Sequence, residues 1–234
     1  MTEIAPVILV TRPLVQAEEF RRILGQGVRV VISPIIEIRY LDFPVQTGAY
    51  KTLIFASRNA VNAAARCMDL RGLNAIAVGD RTALAATAQG MISVSAGGNS
   101  DDLVASAIAA CPANKVLFVR GRHSCGKVAD RLQSAGIETD VVIAYDQVQR
   151  RLSAEALELL DGDAPVIIPL FSPRSAALVS SKVKESRAPL ALVGMSKAVL
   201  DAWDGAKPAV QAVADQPTAK AIGKETLRLA RSWA

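Results

Sequence analysis

Short runs of β-branched and aliphatic residues recur along this chain, each followed by a segment with helical spacing. They are Val7–Thr11, Val28–Ile32, Thr52–Ala56, Ala75–Gly79, Ile92–Ser95, Lys115–Arg120, Glu138–Ile143, Val166–Phe171, Leu190–Gly194 and Ala209–Ala214. Strands this short, apolar on both faces and separated by helices, belong to a parallel sheet covered on both sides. The expected fold class is therefore α/β with open parallel sheets. Pro13 stands where a first-turn proline is tolerated, and Leu14, Ala17, Phe20 and Leu24 follow as one apolar face. Ser100 is expected to cap a helix whose first turn carries Asp101 and Asp102 and whose buried stripe is Leu103, Ala107 and Cys111. Ile222, Thr226, Leu229 and Trp233 keep the same period near the C-terminus.

The chain also repeats itself. Val10-Thr11-Arg12 with Gly27 returns 109 residues later as Val119-Arg120-Gly121 with Gly136. Phe55-Ala56-Ser57 with Val78-Gly79 returns 115 residues later as Leu170-Phe171-Ser172 with Val193-Gly194. The order A, B, A′, B′ indicates two similar α/β lobes. Ser33–Leu41 and Ile143–Arg150 lack a helical pattern and suit a pair of linker strands. The preferred division gives a discontinuous first lobe (residues 1–34 and 151–234), a second lobe (42–142) and a two-stranded linker (35–41 and 143–150). Simple tandem pairing is the alternative.

Composition removes whole classes. Hydrophobic residues are 51% of the 234, enough for large cores, while aromatic residues are only 4%, too few for a platform that stacks single-stranded nucleic acid. The net charge of +5 is dispersed, with no basic run of the kind duplex DNA attracts, and it suits an anionic small molecule. No apolar stretch is long enough to span a membrane, and Glu3 and Arg12 around a short apolar run do not make a signal peptide. Three cysteines with no C-x-x-C pair point to a reducing, cytoplasmic setting and away from structural zinc. Cys67, Cys111 and Cys125 fit helix faces and read as structural, Cys125 sharing its face with Val128, Leu132 and Ala135. His123 is the sole histidine, so a Ser-His-Asp triad would have to use it.

Two motifs carry a chemical suggestion. Gly121-Arg122-His123-Ser124-Cys125-Gly126-Lys127-Val128 has phosphate-loop spacing after a strand, but Val128 replaces the metal-binding hydroxyl such a loop needs. It reads as a plain strand-to-helix turn. Gly97-Gly98-Asn99-Ser100 reads as a turn into a capped helix, or as a set of N–H groups facing a carboxylate. No dinucleotide fingerprint follows the first strand. The more informative pattern is positional: hydroxyl or basic residues sit at the C-terminal end of nearly every expected strand, where ligands bind in open α/β sheets. Two such edges facing each other would line a polar, mildly basic cleft.

The ordered set of these motifs resembles the uroporphyrinogen-III synthase family over essentially the whole chain. The residues that carry the resemblance are Thr11-Arg12-Pro13, Phe55 to Val61, Val78-Gly79 with Thr82-Ala83, and Gly98-Asn99-Ser100 with Leu103. Phe118 to Gly121, Tyr145, Phe171 to Ala176, and Ala214 with Pro217-Thr218 complete it. The resemblance implies two lobes joined by a two-stranded linker and a lyase that cyclises hydroxymethylbilane, with loss of water and inversion of ring D, to uroporphyrinogen III. It implies no metal or organic cofactor; the composition argues against a nucleic-acid or membrane partner, and a monomer is the expected state. It implies substrate contacts at Thr11, Arg12, Ser57, Asn59, Thr82, Ser100, Arg120, Gly121, Ser172, Ser175, Ser196 and Thr218. Tyr145 is the first choice as proton donor, its alternative role being to pack the linker. A two-lobed module that binds an anion without turnover is the rival reading.

Overall fold

The computed structural model describes residues 5–44, 48–110, 115–123 and 127–233. Cys111 and the Ser124–Gly126 part of the phosphate-loop-like segment, with Cys125, lie outside the described residues. The chain forms two compact units, one from residues 1–37 with 148–234 and the other from residues 38–147.

The first unit is built on a five-stranded parallel sheet. The chain enters it through β1 (Val7–Val10), α1 (Leu14–Leu24) and β2 (Arg29–Ile32). β3 (Ile36–Tyr40) then begins the passage to the second unit, which holds β4 (Thr52–Phe55), α2 (Arg58–Cys67), β5 (Asn74–Ala77), α3 (Asp80–Ala88) and β6 (Ile92–Ser95). There follow α4 (Ser100–Ala110), β7 (Val116–Gly121), α5 (Val128–Ser134) and the long β8 (Thr139–Gln149). The chain returns to the first sheet with α6 (Ala154–Asp161), β9 (Val166–Leu170), α7 (Pro173–Ser180), β10 (Leu190–Gly194), α8 (Lys197–Asp201), β11 (Val210–Val213) and α9 (Ala219–Ser232). The first sheet runs β11-β10-β9-β1-β2 and the second β3-β8-β7-β4-β5-β6. β1 thus pairs with β9, Val7 opposite Val166, while β4 pairs with β5 and β7. β3 runs antiparallel to β8: Arg150 N–H donates to the Ile35 carbonyl and Leu41 N–H to that of Ala144.

Alternation along each strand sends successive side chains to opposite faces. In the first unit, Ile8, Val10, Ile167, Ala191 and Val193 meet Ala17 and Phe20 of α1 and Ile222 and Leu229 of α9. The Phe20 ring stands edge-on to Phe171, centroids 5.0 Å apart at 86°. In the second unit, Leu53, Phe55, Leu117 and Val119 face α2, while Ile54, Ile76 and Phe118 face α4 and α5. Val61 therefore lies on one side of that sheet, and Leu103 and Leu132 on the other. The two layers arise because a parallel sheet must be covered on both faces.

Two expected core positions are corrected. Leu14 is 60% exposed, because Pro13 occupies the N-cap and Leu14 opens the helix at its first residue, leaving Ala17, Phe20 and Leu24 as the buried face. Ala135 is exposed as the C-cap of α5, while Val128 and Leu132 are buried. The other helical stripes hold: Leu103 and Ala107 are fully buried, and Thr226 is buried with its hydroxyl donating to the Ile222 carbonyl at 2.7 Å.

Phe20 fills space between two helices and a sheet, whereas Leu14 packs little. Phe20→Ala is expected to cost about 3–5 kcal/mol, and Leu14→Ala to stay within about 0.5 kcal/mol of the parent. Equal midpoints for the two variants in urea unfolding would contradict this packing.

Candidate functional site

In each sheet one place is singled out by the connections. From β4 the chain moves outward to β5 and β6, and from its neighbour β7 it moves the other way to β8. α2 consequently covers one face and α5 the other. The C-terminal ends of β4 and β7 therefore open a crevice between helices leaving in opposite directions, the usual ligand position in such sheets. β9 and β1 make the same junction in the first unit.

At the β4–β7 junction three of the expected site residues meet. Ser57, in extended conformation at φ −165°, caps α2 by accepting the Ala60 N–H at 3.2 Å. Its Oγ lies 2.8 Å from the Tyr145 hydroxyl. Gly121 closes β7 beneath the phenol ring: a Cβ there would sit 2.5 Å from Tyr145 Cζ and 2.9 Å from its hydroxyl oxygen. Glycine is required here for space, since only a bare backbone lets the ring approach so closely. The strand register explains how Tyr145 arrives. Arg120 pairs with Ile143 but Gly121 with Tyr145, so Ala144 is an extra residue in β8. Such a bulge re-aims the side chains that follow it. The Ala144 carbonyl accepts from Leu41, and the Tyr145 carbonyl from the Arg122 N–H at 2.9 Å.

Tyr145 is 6% exposed. Burial pushes its phenol above the ordinary tyrosine range, the Ser57 hydrogen bond pulls it back in part, and Tyr40 adds to the rise. The group stays protonated at neutral pH. Beside it, Asp146 binds Arg122 Nε at 2.9 Å and lies 3.6 Å from His123 Nε2. Burial works to raise that carboxyl, but the Arg122 bond, the Gln147 N–H and the neighbouring Arg122 and His123 side chains together hold it below the usual range. His123 is thus an exposed turn residue engaged with Asp146.

The remaining expected residues of this unit line the same sheet edge. Asn59 is half-buried in the first turn of α2, and Arg120 is half-buried on β7. Thr82 is buried at the start of α3, whose N-cap is Gly79. Ser100 is not the cap of α4. Asn99 takes that role, its Oδ1 accepting the N–H groups of Asp101 and Asp102 at 2.8 and 2.9 Å. The reason is the preceding pair Gly97-Gly98, both at positive φ, which turns the chain one residue earlier.

The β9–β1 junction of the first unit carries a different group. The Arg12 guanidinium lies 3.8 Å above the Phe171 ring centroid and donates to Gln16 Oε1 at 3.0 Å. Thr11 is buried just after β1. Ser172 and Ser175 form a reciprocal capping box on α7, their hydroxyls 2.8 Å apart. Thr218 caps α9 through the Ala221 N–H at 3.1 Å. Ser196 stands at the N-cap of α8 with no side-chain capping bond. Phe171 and Gln16, which hold Arg12, were absent from the expected site. Aromatic residues next to a strand-end serine are the signal that points to the first; nothing in the spacing singles out the second.

Each edge is thus a row of helix N-termini, suited to carboxylates, and the second unit adds a buried phenol. Among the described residues no group of three His, Cys, Asp or Glu side chains is placed to hold a metal ion, and no helix is long and apolar enough to cross a membrane.

The family model described as uroporphyrinogen-III synthase HemD matches residues 18–223. Among solved structures, the chain resembles uroporphyrinogen-III synthetase from Helicobacter pylori at 14% identity and a TM-score of 0.71, over 97% of this chain and 100% of that one. It also resembles a mutant uroporphyrinogen III synthase from Thermus thermophilus at 13% identity and a TM-score of 0.55, over 98% of this chain and 100% of the other. No curated protein matches it in sequence.

Because a Cβ on residue 121 and the Tyr145 ring need the same space, Gly121→Ala is expected to cost about 1–3 kcal/mol through overpacking and to change the near-ultraviolet circular dichroism of the tyrosine. Parent-like stability and an unchanged spectrum would show that the ring has room to move.

Proposed function

Since the chain belongs to the uroporphyrinogen-III synthase family, we propose how its own residues perform that family's reaction. The chain is a cyclising, lyase-type enzyme of tetrapyrrole biosynthesis that converts hydroxymethylbilane to uroporphyrinogen III. The finer assignment is a hydro-lyase: one water leaves per ring closed. The C–O bond of the terminal hydroxymethyl group breaks, its electron pair leaving with the oxygen. A proton from the Tyr145 hydroxyl completes that water. The pyrrole nitrogen supplies electrons, leaving an azafulvenium electrophile. The substituted carbon of ring D attacks this electrophile with a pyrrole electron pair, the spiro intermediate fragments and recloses with ring D inverted, and the proton released on closure returns to the phenolate.

The observation that carries the Tyr145 role is its burial against Ser57 and Gly121 at the strand junction, protonated and next to the crevice. Substrate carboxylates are assigned to the strand ends and helix N-termini at Thr82, Ser100, Ser172, Ser196 and Thr218, together with Asn59, Thr11, Arg12 and Arg120, while the Ser57 hydroxyl is taken up by the Ala60 N–H and the Tyr145 hydroxyl. Gly121 and the Ser172–Ser175 pair contribute by shaping the two junctions, since Gly121 leaves room for the phenol and the two serines bond each other's backbone N–H groups in the capping box. Folding a flexible chain until its ends meet is an orientation problem, for which binding supplies up to roughly 7–11 kcal/mol. Cytoplasmic location is part of the same reading, supported by the odd number of cysteines and the free Cys67 thiol.

Purified protein given hydroxymethylbilane is expected to yield the type III isomer in excess of the uninverted ring. Tyr145→Phe keeps the ring and is expected to lower kcat by about 10²–10⁴-fold. Thr218→Val and Thr11→Val should each cost about two- to tenfold. A folded Tyr145→Phe variant with parent-like rate and isomer ratio would remove Tyr145 as the acid. Tight binding with no change in isomer ratio would favour the non-catalytic module.

A further inference from the structure

We propose that Ser57 is a positioning residue that directs and supports the Tyr145 proton, and that it does not contact substrate. The inference rests on Tyr145 being the acid. A serine hydroxyl has one proton to give and two lone pairs to receive with. One lone pair of Ser57 already accepts the Ala60 N–H, as the cap of α2. Its Oγ faces the Tyr145 oxygen at 2.8 Å, and in the resting enzyme either hydroxyl can donate across that gap. Once the phenol has passed its proton to the leaving hydroxyl, only Ser57 can donate. The bond is therefore stronger in the charge-developing state than in the resting one, which is the requirement for a contact that accelerates a step.

Two further features make the arrangement directional. Ser57 sits at the positive end of α2, so the hydroxyl that supports the phenolate is itself polarised by the helix. Gly121 leaves room for the ring and no room for it to be filled otherwise, so the phenol oxygen is held beside Ser57 rather than over the sheet. The opposing influences on the phenol agree with this polarity: burial raises its pKa and the Ser57 bond lowers it. While Tyr145 gives its proton to the leaving hydroxyl, the Ser57 proton is the one that spans the 2.8 Å gap and is not free to turn to a carboxylate.

The test uses Ser57→Gly, Tyr145→Phe and the double variant in the full chain. Glycine is nearly as good an N-cap as serine, and Ser57 has an extended backbone that any residue adopts, so Ser57→Gly removes the hydroxyl with little loss of helix. Its kcat on hydroxymethylbilane is expected to fall about ten- to a hundredfold, the range for a hydrogen bond to a charged group, with KM nearly unchanged. On the Tyr145→Phe background the same change should cost nothing more. Absorbance titration of the phenols should show the Tyr145 step, identified by its loss in Tyr145→Phe, moved to higher pH in Ser57→Gly. Ser57→Thr, which keeps cap and hydroxyl, should restore most of the rate. An equal loss from Ser57→Gly on both backgrounds, a rise in KM alone, or an unmoved titration would overturn the proposal while leaving Tyr145 as the acid. Parent-like turnover by Tyr145→Phe would instead overturn the acid itself.

Discussion

Parallel strands bury both faces, and that requirement shapes everything functional in this chain. Each strand must be followed by a crossover helix, and each sheet must receive helices on both sides. Where neighbouring strands send their helices to opposite faces, the backbone parts and leaves an opening at the strand ends. β4 with β7, and β9 with β1, are those places. The chemistry-bearing side chains gather there because no other part of a doubly covered sheet is both rigid and accessible. The core residues behind the junctions, Phe55 and Val119 in one unit and Ile167 and Val10 in the other, are fully buried and hold the strand ends in register.

The same constraint explains what could be read without a structure. Short apolar strands alternating with helical stripes carry a signal in residue type alone, and each expected strand is present with its ends moved by a residue or two. The exception is instructive: Glu138–Ile143 and the stretch after it merge into one strand, Thr139–Gln149, because β3 pairs with its second half. Pairing partners are not written in a local pattern. Nor is the extra residue Ala144, which delivers Tyr145 to Gly121, since a bulge has no composition signature of its own. Tyr145 and Ser57 were legible as members of a motif set, but their 2.8 Å contact spans 88 positions of chain. Asn99 displaced Ser100 as a cap because two adjacent cap-forming residues compete, and the positive-φ glycines decide between them.

The strand ends carry dispersed polar groups and one buried phenol, and the two kinds of group differ in their environment. The helix N-termini supply many weak, similar interactions, each already partly used in capping: Ser57, Ser172 and Thr218 all accept a backbone N–H. Such groups hold an anion chiefly through N–H groups and the helix dipole. They need no shifted pKa. The Tyr145 phenol differs from them in being buried, and burial raises its pKa. Asp146 next to it is kept ionised by Arg122 and His123, which leaves the tyrosine as the protonated group of that corner.

The repeat shows how one scaffold yields two different junctions. An offset of 109 residues places Gly121 where Arg12 stands, and one of 115 places Ser57 where Ser172 stands. In the first unit the larger residue fills the junction: Arg12 lies flat on Phe171, which is braced in turn by Phe20. Ser172, next to that ring, closes on Ser175 within its own helix. In the second unit the side chain is missing at residue 121, and Tyr145 from the neighbouring strand takes the space. Ser57 then has a phenol rather than a fellow serine to bond. The presence or absence of one side chain at equivalent positions thus separates a junction filled by a guanidinium from one filled by a phenol. Restoring bulk at residue 121 would displace the Tyr145 ring, so the missing side chain at that one position sets where the phenol and its bond to Ser57 can lie.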